Sequence, residues 1–291
     1  MGIELNEIKR RIIIAMFSDD DLMEMLVLKG GNALDMIHHV ISRSSFDFDF
    51  SMEDEIKDIP TIKDKIERVL KSTFREVGYE VFDVTFEQKP RNLSIEMKDF
   101  WGGYCVELKI IDDKKYTELS GDLESLRRNA TVVGPKNKKK IFVDISKFEY
   151  CTPKQETELD GLTIYVYTPV MIVCEKFRAI CQQMPEYLKI VKSSLGSARA
   201  RDFFDIYTII EFFKIDLTTP ENIELLKNIF DAKRVPLALL AKIPDYRDYH
   251  RQDFPSVENT VIPGTELKDF DFYFDYVVEK SQALLKALGI I

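Results

Sequence analysis

The run Ser45-Phe46-Asp47-Phe48-Asp49-Phe50 alternates short polar and aromatic residues throughout. In an extended strand successive side chains point to opposite faces, so Ser45, Asp47 and Asp49 share one face and the three phenylalanines the other. Burying the phenylalanine face seats the strand on a core and aims both carboxylates outward together. Two carboxylates so close repel each other, and a cation between them relieves the repulsion. Hard oxygen donors with few other ligands suit Mg²⁺, which keeps positions open for water and phosphate. An edge strand showing charge to water accounts for the same alternation without a metal.

A second feature lies just upstream. The apolar run Met25-Leu26-Val27-Leu28 leads into Lys29-Gly30-Gly31, and residues 32–41 follow with a helical pattern that Asn32 can cap. A glycine turn between strand and helix leaves backbone N–H groups exposed at a positive helix end, a cradle for phosphate. Strand, Gly30-Gly31, helix and a D-x-D strand together bring triphosphate oxygens near metal-binding carboxylates, as phosphoryl or nucleotidyl transfer requires. Glu107-Leu108-Lys109 supplies a rival reading, because it matches the E-x-K part of a restriction-type, metal-dependent nuclease pattern.

With these residues in view, the sequence resembles the AbiEii/AbiGii toxin-type nucleotidyltransferases, a branch of the polymerase-β-like superfamily. The matching segments are LKGGNAL (28–34), the R-x-S-x-D-x-D run from Arg43 to Asp49, EKFRAI (175–180) and RARDFFDIY (199–207). The resemblance implies a polymerase-β-like domain with a mixed sheet, followed by an all-helical domain. It implies Mg²⁺-dependent transfer from an NTP to an acceptor, in some relatives the 3′ end of tRNA, by a toxin with an antitoxin partner. Superfamily members often carry Gly-Ser where this chain has Gly30-Gly31, so a hydroxyl contact to phosphate falls to Ser45 instead. The superfamily's third carboxylate fits Asp144 best, a lone acid among apolar residues in Ile141–Ile145, with Asp112 and Asp113 as rivals near a strand end. The resemblance also marks Lys176, as a point cation for phosphate charge, and Asp202, to orient that lysine or the acceptor. Without it, an ion pair between helices explains both. A catalytically degenerate binding module is the remaining alternative.

The elements that must position these residues follow from periodicity. Residues 4–17 and 60–78 read as amphipathic helices, and 80–87, 104–111, 141–146 and 162–167 as strands. From Thr168-Pro169, a capping pair, the pattern turns helical over 169–184, 198–214, 220–231 and 267–288. The expected organisation is an α/β (α+β) nucleotidyltransferase domain over residues 1–167 and a helical domain over 168–291.

Bulk properties bound the alternatives. A chain of 291 residues with 45% apolar and 31% charged residues suits a globular protein with a real core. No apolar stretch approaches the roughly 18 residues of a membrane span. Cys105, Cys151, Cys174 and Cys181 lack metal-ligand spacing, and free thiols point to a cytoplasmic protein. A net charge of −9 argues against broad nucleic-acid binding. Any RNA contact is then local, at Arg127, Arg128, Lys136 and Lys138–Lys140, or at Arg199 and Arg201. His38, His39 and His250 read as surface or core residues, and the aromatics of 203–213 and 270–276 as core.

Overall fold

The computed structural model describes residues 2–40, 47–134, 137–191, 196–262 and 264–291. The chain divides into two compact units. One comprises Met1–Ile37 and Phe46–Val166, and the other Tyr167–Ile291 with the segment that starts at His38.

In the first unit α1 (Leu5–Phe17) and α2 (Asp20–Met25) precede β1 (Val27–Lys29). Next come α3 (Gly30–Asn32), which opens into a π-helical turn over Ala33–Ile37, and β2 (Phe48–Ser51). Helix α4 (Ile59–Arg75) leads to the long strands β3 (Tyr79–Lys89) and β4 (Gly103–Asp112). Short helices α5 (Asp113–Glu118) and α6 (Leu123–Asn129) then lead to β5 (Ile141–Ser146) and the hairpin β6 (Gln155–Leu159) and β7 (Leu162–Val166). The strands form one mixed sheet in the order β3-β4-β5-β2-β1-β7-β6, with β2–β5 and β1–β7 parallel. This is the mixed α/β architecture expected. Strand β6 was not anticipated, because its residues QETEL are mostly polar and exposed at the end of the sheet.

The apolar face of this sheet seats the helices. Leu28, Phe48, Phe50, Val143 and Ile145 are buried, and the Phe17 ring of α1 tilts against Phe50 at 5.9 Å between centroids. Helices α1 and α4 bury Ile8, Ile12 and Met16, and Ile62, Ile66 and Leu70, from their apolar stripes. In β5, Ile141, Val143 and Ile145 are buried while Phe142, Asp144 and Ser146 are half-exposed, the pattern of a strand with one face turned to the core.

Two local expectations are corrected. The helix expected over 32–41 begins at Gly30, and Asn32 is buried inside it rather than capping it. The strand that carries the D-x-D run begins at Phe48, so Asp47 sits just ahead of β2 rather than in it. Arg43, Ser45 and Phe46 lie outside the described residues.

The second unit is built from helices: α7 (Pro169–Cys181), α8 (Pro185–Leu188), α9 (Ala200–Phe213), α10 (Pro220–Asp231), α11 (Arg247–Arg251), α12 (Phe254–Glu258) and α13 (Phe270–Ala287), with a 3₁₀ stretch over Leu237–Tyr246. Thr168 caps α7 as expected, its hydroxyl accepting from Met171 N at 3.3 Å with Pro169 in the first turn. The Phe203 ring of α9 stacks on Phe274 of α13 at 5.2 Å. The aromatic runs are only partly core, since Phe212 and Phe272 remain exposed.

Candidate active site

Glu87, Cys105, Asp144, Asp49 and Lys29 are successive Cα partners across β3, β4, β5, β2 and β1. Aligned partners point to the same side of a sheet, so this row forms a polar face opposite the phenylalanine face. Asp49 and Asp144, distant in sequence, sit at matching register on adjacent parallel strands, about 4.8 Å apart in backbone spacing. Asp47, two residues ahead of Asp49, is exposed. The side chains of Asp47 and Asp144 are 60% and 49% exposed, so both can reach a ligand from solvent.

Gly30 explains the glycine pair. Its φ is +69°, a region costly for residues with a Cβ, and a Cβ there would meet Asp49 Oδ2 at 2.6 Å and its Cβ at 3.2 Å. The first helical residue after β1 therefore lies directly against the Asp49 carboxylate. Gly31 follows it in the opening of α3. Asn32 fixes the other acid: its Nδ2 donates to the Asp47 carbonyl at 2.7 Å.

Basic residues surround these acids. Lys29 is buried, with Nζ donating to Ser146 Oγ at 3.3 Å and lying 3.7 Å from Glu149 Oε1. Lys138 Nζ lies 3.6 Å from Asp47 Oδ1, and Lys89 Nζ 4.0 Å from Asp144 Oδ1. Both ammonium groups also approach the Phe142 ring, at 5.1 and 5.8 Å from its centroid. Sequence reasoning missed Lys29 and Asn32, although both flank the glycine pair. It missed Lys89 altogether, because only the antiparallel pairing of β3 with β4 brings that residue back to the site.

Among the described residues no three or more His, Cys, Asp or Glu side chains converge on one point. Mg²⁺ does not need such a cage, because one or two carboxylates usually hold it while water and phosphate oxygens complete the octahedron. Asp49 and Asp144 at matching register, with Asp47 beside them, are donors of that kind. Without a Cβ at position 30 the Asp49 carboxylate packs against the backbone of α3, and the acids gathered here are the hard oxygen donors that a divalent ion takes.

The E-x-K residues are engaged elsewhere. Lys109 is buried and pairs with Asp83, while Glu107 Oε1 is 2.5 Å from Lys140 Nζ. Asp83 sits at a bulge in β3 with φ +54° and also accepts from Arg127 at 2.7 Å. Those hydrogen bonds, Arg127's foremost, outweigh burial and hold its carboxyl at about 2.

In the second unit Lys176 of α7 donates to Asp202 Oδ1 at 2.9 Å and to Asp205 Oδ2 at 2.6 Å, both on α9. All three are buried. Burial by itself raises the Asp202 carboxyl, but Arg199 and Lys176 overcome it and hold the group well below the usual carboxylate range. Beside this cluster His250 Nδ1 accepts from Arg199 N at 3.1 Å, and burial pushes its pKa down to about 4. The four cysteines are free and buried, and burial pushes the Cys174 thiol up to about 12. Among the described residues no helix is long and apolar enough to cross a membrane.

No curated protein matches the chain. Two solved structures from Helicobacter pylori are similar to it. One is JHP933, 14% identical, with a TM-score of 0.47, covering 98% of this chain and 91% of that one. The other is described as a candidate nucleotidyltransferase, 16% identical, with a TM-score of 0.46, covering 98% and 95%. The family model of the nucleotidyl transferase AbiEii toxin, from type IV toxin–antitoxin systems, matches residues 11–276, and the chain belongs to that family.

Proposed function

We propose that this chain transfers a nucleotide from an NTP to an acceptor hydroxyl and releases pyrophosphate, with Asp47, Asp49 and Asp144 as the working carboxylates. The observation that carries the reading is the register match of Asp49 and Asp144, with Gly30 packed against the Asp49 oxygen. Asp47 and Asp49 would hold Mg²⁺ together with the triphosphate, and the ion would supply Lewis-acid stabilisation of phosphate charge. Asp144 would help hold the ion and would accept the proton of the attacking hydroxyl as its oxygen bonds to the α-phosphorus and pyrophosphate leaves. Backbone N–H groups at Gly30 and Gly31 would bind the phosphates. In the helical unit Lys176 is held between Asp202 and Asp205 in a buried cluster, which favours the ion-pair reading of Lys176 and Asp202. The acceptor is an RNA end, the 3′ end of tRNA being the first to try. The protein works in the cytoplasm, with an antitoxin as its partner.

The test is incubation with each labelled NTP, Mg²⁺ and total RNA. Asp49→Asn should lower incorporation about a thousandfold or more at unchanged melting temperature, because several kcal/mol of transition-state stabilisation are removed without opening a cavity. Near wild-type incorporation by that variant overturns the two-carboxylate reading. Shortened RNA indicates the nuclease, and unchanged RNA the binding module.

A further inference from the structure

Lys138 and Lys89 are not accounted for by the transfer chemistry, and their ammonium groups lie against two of its carboxylates, Asp47 and Asp144. Their side chains are 34% and 56% exposed, so neither is a structural cation locked in a core. Lys176, which the resemblance marks for phosphate charge, is by contrast already shared between Asp202 and Asp205 in a buried cluster. A divalent ion binding to Asp47 and Asp144 competes with both ammonium groups for the same oxygens. Once displaced, each lysine is a flexible point cation beside the place where triphosphate oxygens arrive with the ion. The Phe142 ring stands within cation–π distance of both, a second resting place when they leave the carboxylates.

We propose that Lys138 and Lys89 form an exchangeable phosphate-binding pair, held on Asp47 and Asp144 without the ion and transferred to the triphosphate of the incoming nucleotide when Mg²⁺ takes those carboxylates. This rests on the transfer reading above. No covalent step is involved, because the exchange replaces two ammonium–carboxylate pairs by ion–carboxylate and ammonium–phosphate contacts.

The exchange predicts two opposite effects of one substitution. Lys138→Ala and Lys89→Ala should each tighten Mn²⁺ binding to the protein alone, measured by calorimetry or electron paramagnetic resonance, because a competing cation is gone. Each should also weaken binding of a non-hydrolysable NTP with Mg²⁺ present by about tenfold, the worth of one charged contact. Lys138→Arg should retain most of that nucleotide binding. All variants are checked for an unchanged melting temperature, which surface positions should preserve. Should Mn²⁺ and nucleotide affinities both stay at wild-type values, or fall together, the exchange is overturned. Asp49→Asn run in parallel separates the two ideas. Loss of Mn²⁺ binding there, with unaltered behaviour of the lysine variants, rejects only the exchange. Wild-type Mn²⁺ binding there rejects the underlying metal site as well.

Discussion

At Gly30, backbone conformation and a functional contact meet in one residue. Gly30→Ala places a methyl group 2.6 Å from Asp49 Oδ2 at a φ of +69°. The left-handed conformation costs roughly 1–2 kcal/mol, and the clash turns the carboxylate away from its Asp144 neighbour. Transfer should fall at least a hundredfold while denaturant titration shows a loss of about 1–3 kcal/mol. Activity lost only in proportion to unfolded protein would show that the contact serves folding alone. Phe48→Ala is the opposite case, because its side chain is buried on the apolar face beneath the site. It should cost about 3–5 kcal/mol through the cavity it leaves. Any protein that remains folded at low temperature should keep its metal affinity, which calorimetry on the folded fraction can check.

At the scale of elements, α7 and α9 are joined by a buried ionic cluster around Lys176. Lys176 pairs with Asp202 and Asp205 inside the helical unit, with Arg199 as a second cation on Asp202, and removing the shared lysine leaves uncompensated buried charge. Lys176→Ala should therefore destabilise the protein by about 3–5 kcal/mol, seen as a lowered denaturation midpoint. A loss below about 1 kcal/mol would mean that water or another cation reaches the two acids. Activity data for this variant have meaning only beside its stability. The β2–β5 pairing is the matching element in the sheet unit: a one-residue slip there would turn Asp49 into the core and Phe48 out to solvent. Burying two phenylalanines thus holds Asp49 beside Asp144.

For the whole molecule the titrating groups define how stability depends on pH. His250 is held neutral, with its pKa lowered from 6.5 to about 4 by burial, aided by Arg199 and opposed by Asp202. An unfolded chain takes up that proton first. The stability contributed is fully present above about 6.5 and drains away as pH falls toward 4. His38, also lowered by burial and opposed by its bond to the Tyr167 carbonyl, adds in the same direction. Asp83 acts later: depressed from 3.8 to about 2, it contributes stability above 3.8 that is lost as pH drops toward 2. Urea midpoints should therefore decline in two stages. His250→Gln should flatten the first stage, and a wild-type slope in that variant would count against the assignment.

The sequence by itself determined the local pattern. Alternation in Phe48–Phe50 and Ile141–Ser146 is enough to separate core face from polar face, because a strand has only two sides. Helices α1, α4, α7 and α9 are likewise legible, since an apolar stripe at helical spacing has one stable reading in water. Asp47, Asp49, Gly30 and Gly31 stood out because their chemistry is concentrated within a few residues. Tertiary structure decided what depends on pairing between distant segments. It set Asp144 beside Asp49, brought Lys89 and Lys138 onto the carboxylates, bound Lys109 to Asp83, and enclosed Lys176 between two acids. It also fixed the reason for the glycine at position 30: the obstacle to any Cβ there is Asp49, which comes from another strand. Strand order and register are collective properties of the packed sheet, and no single segment carries them.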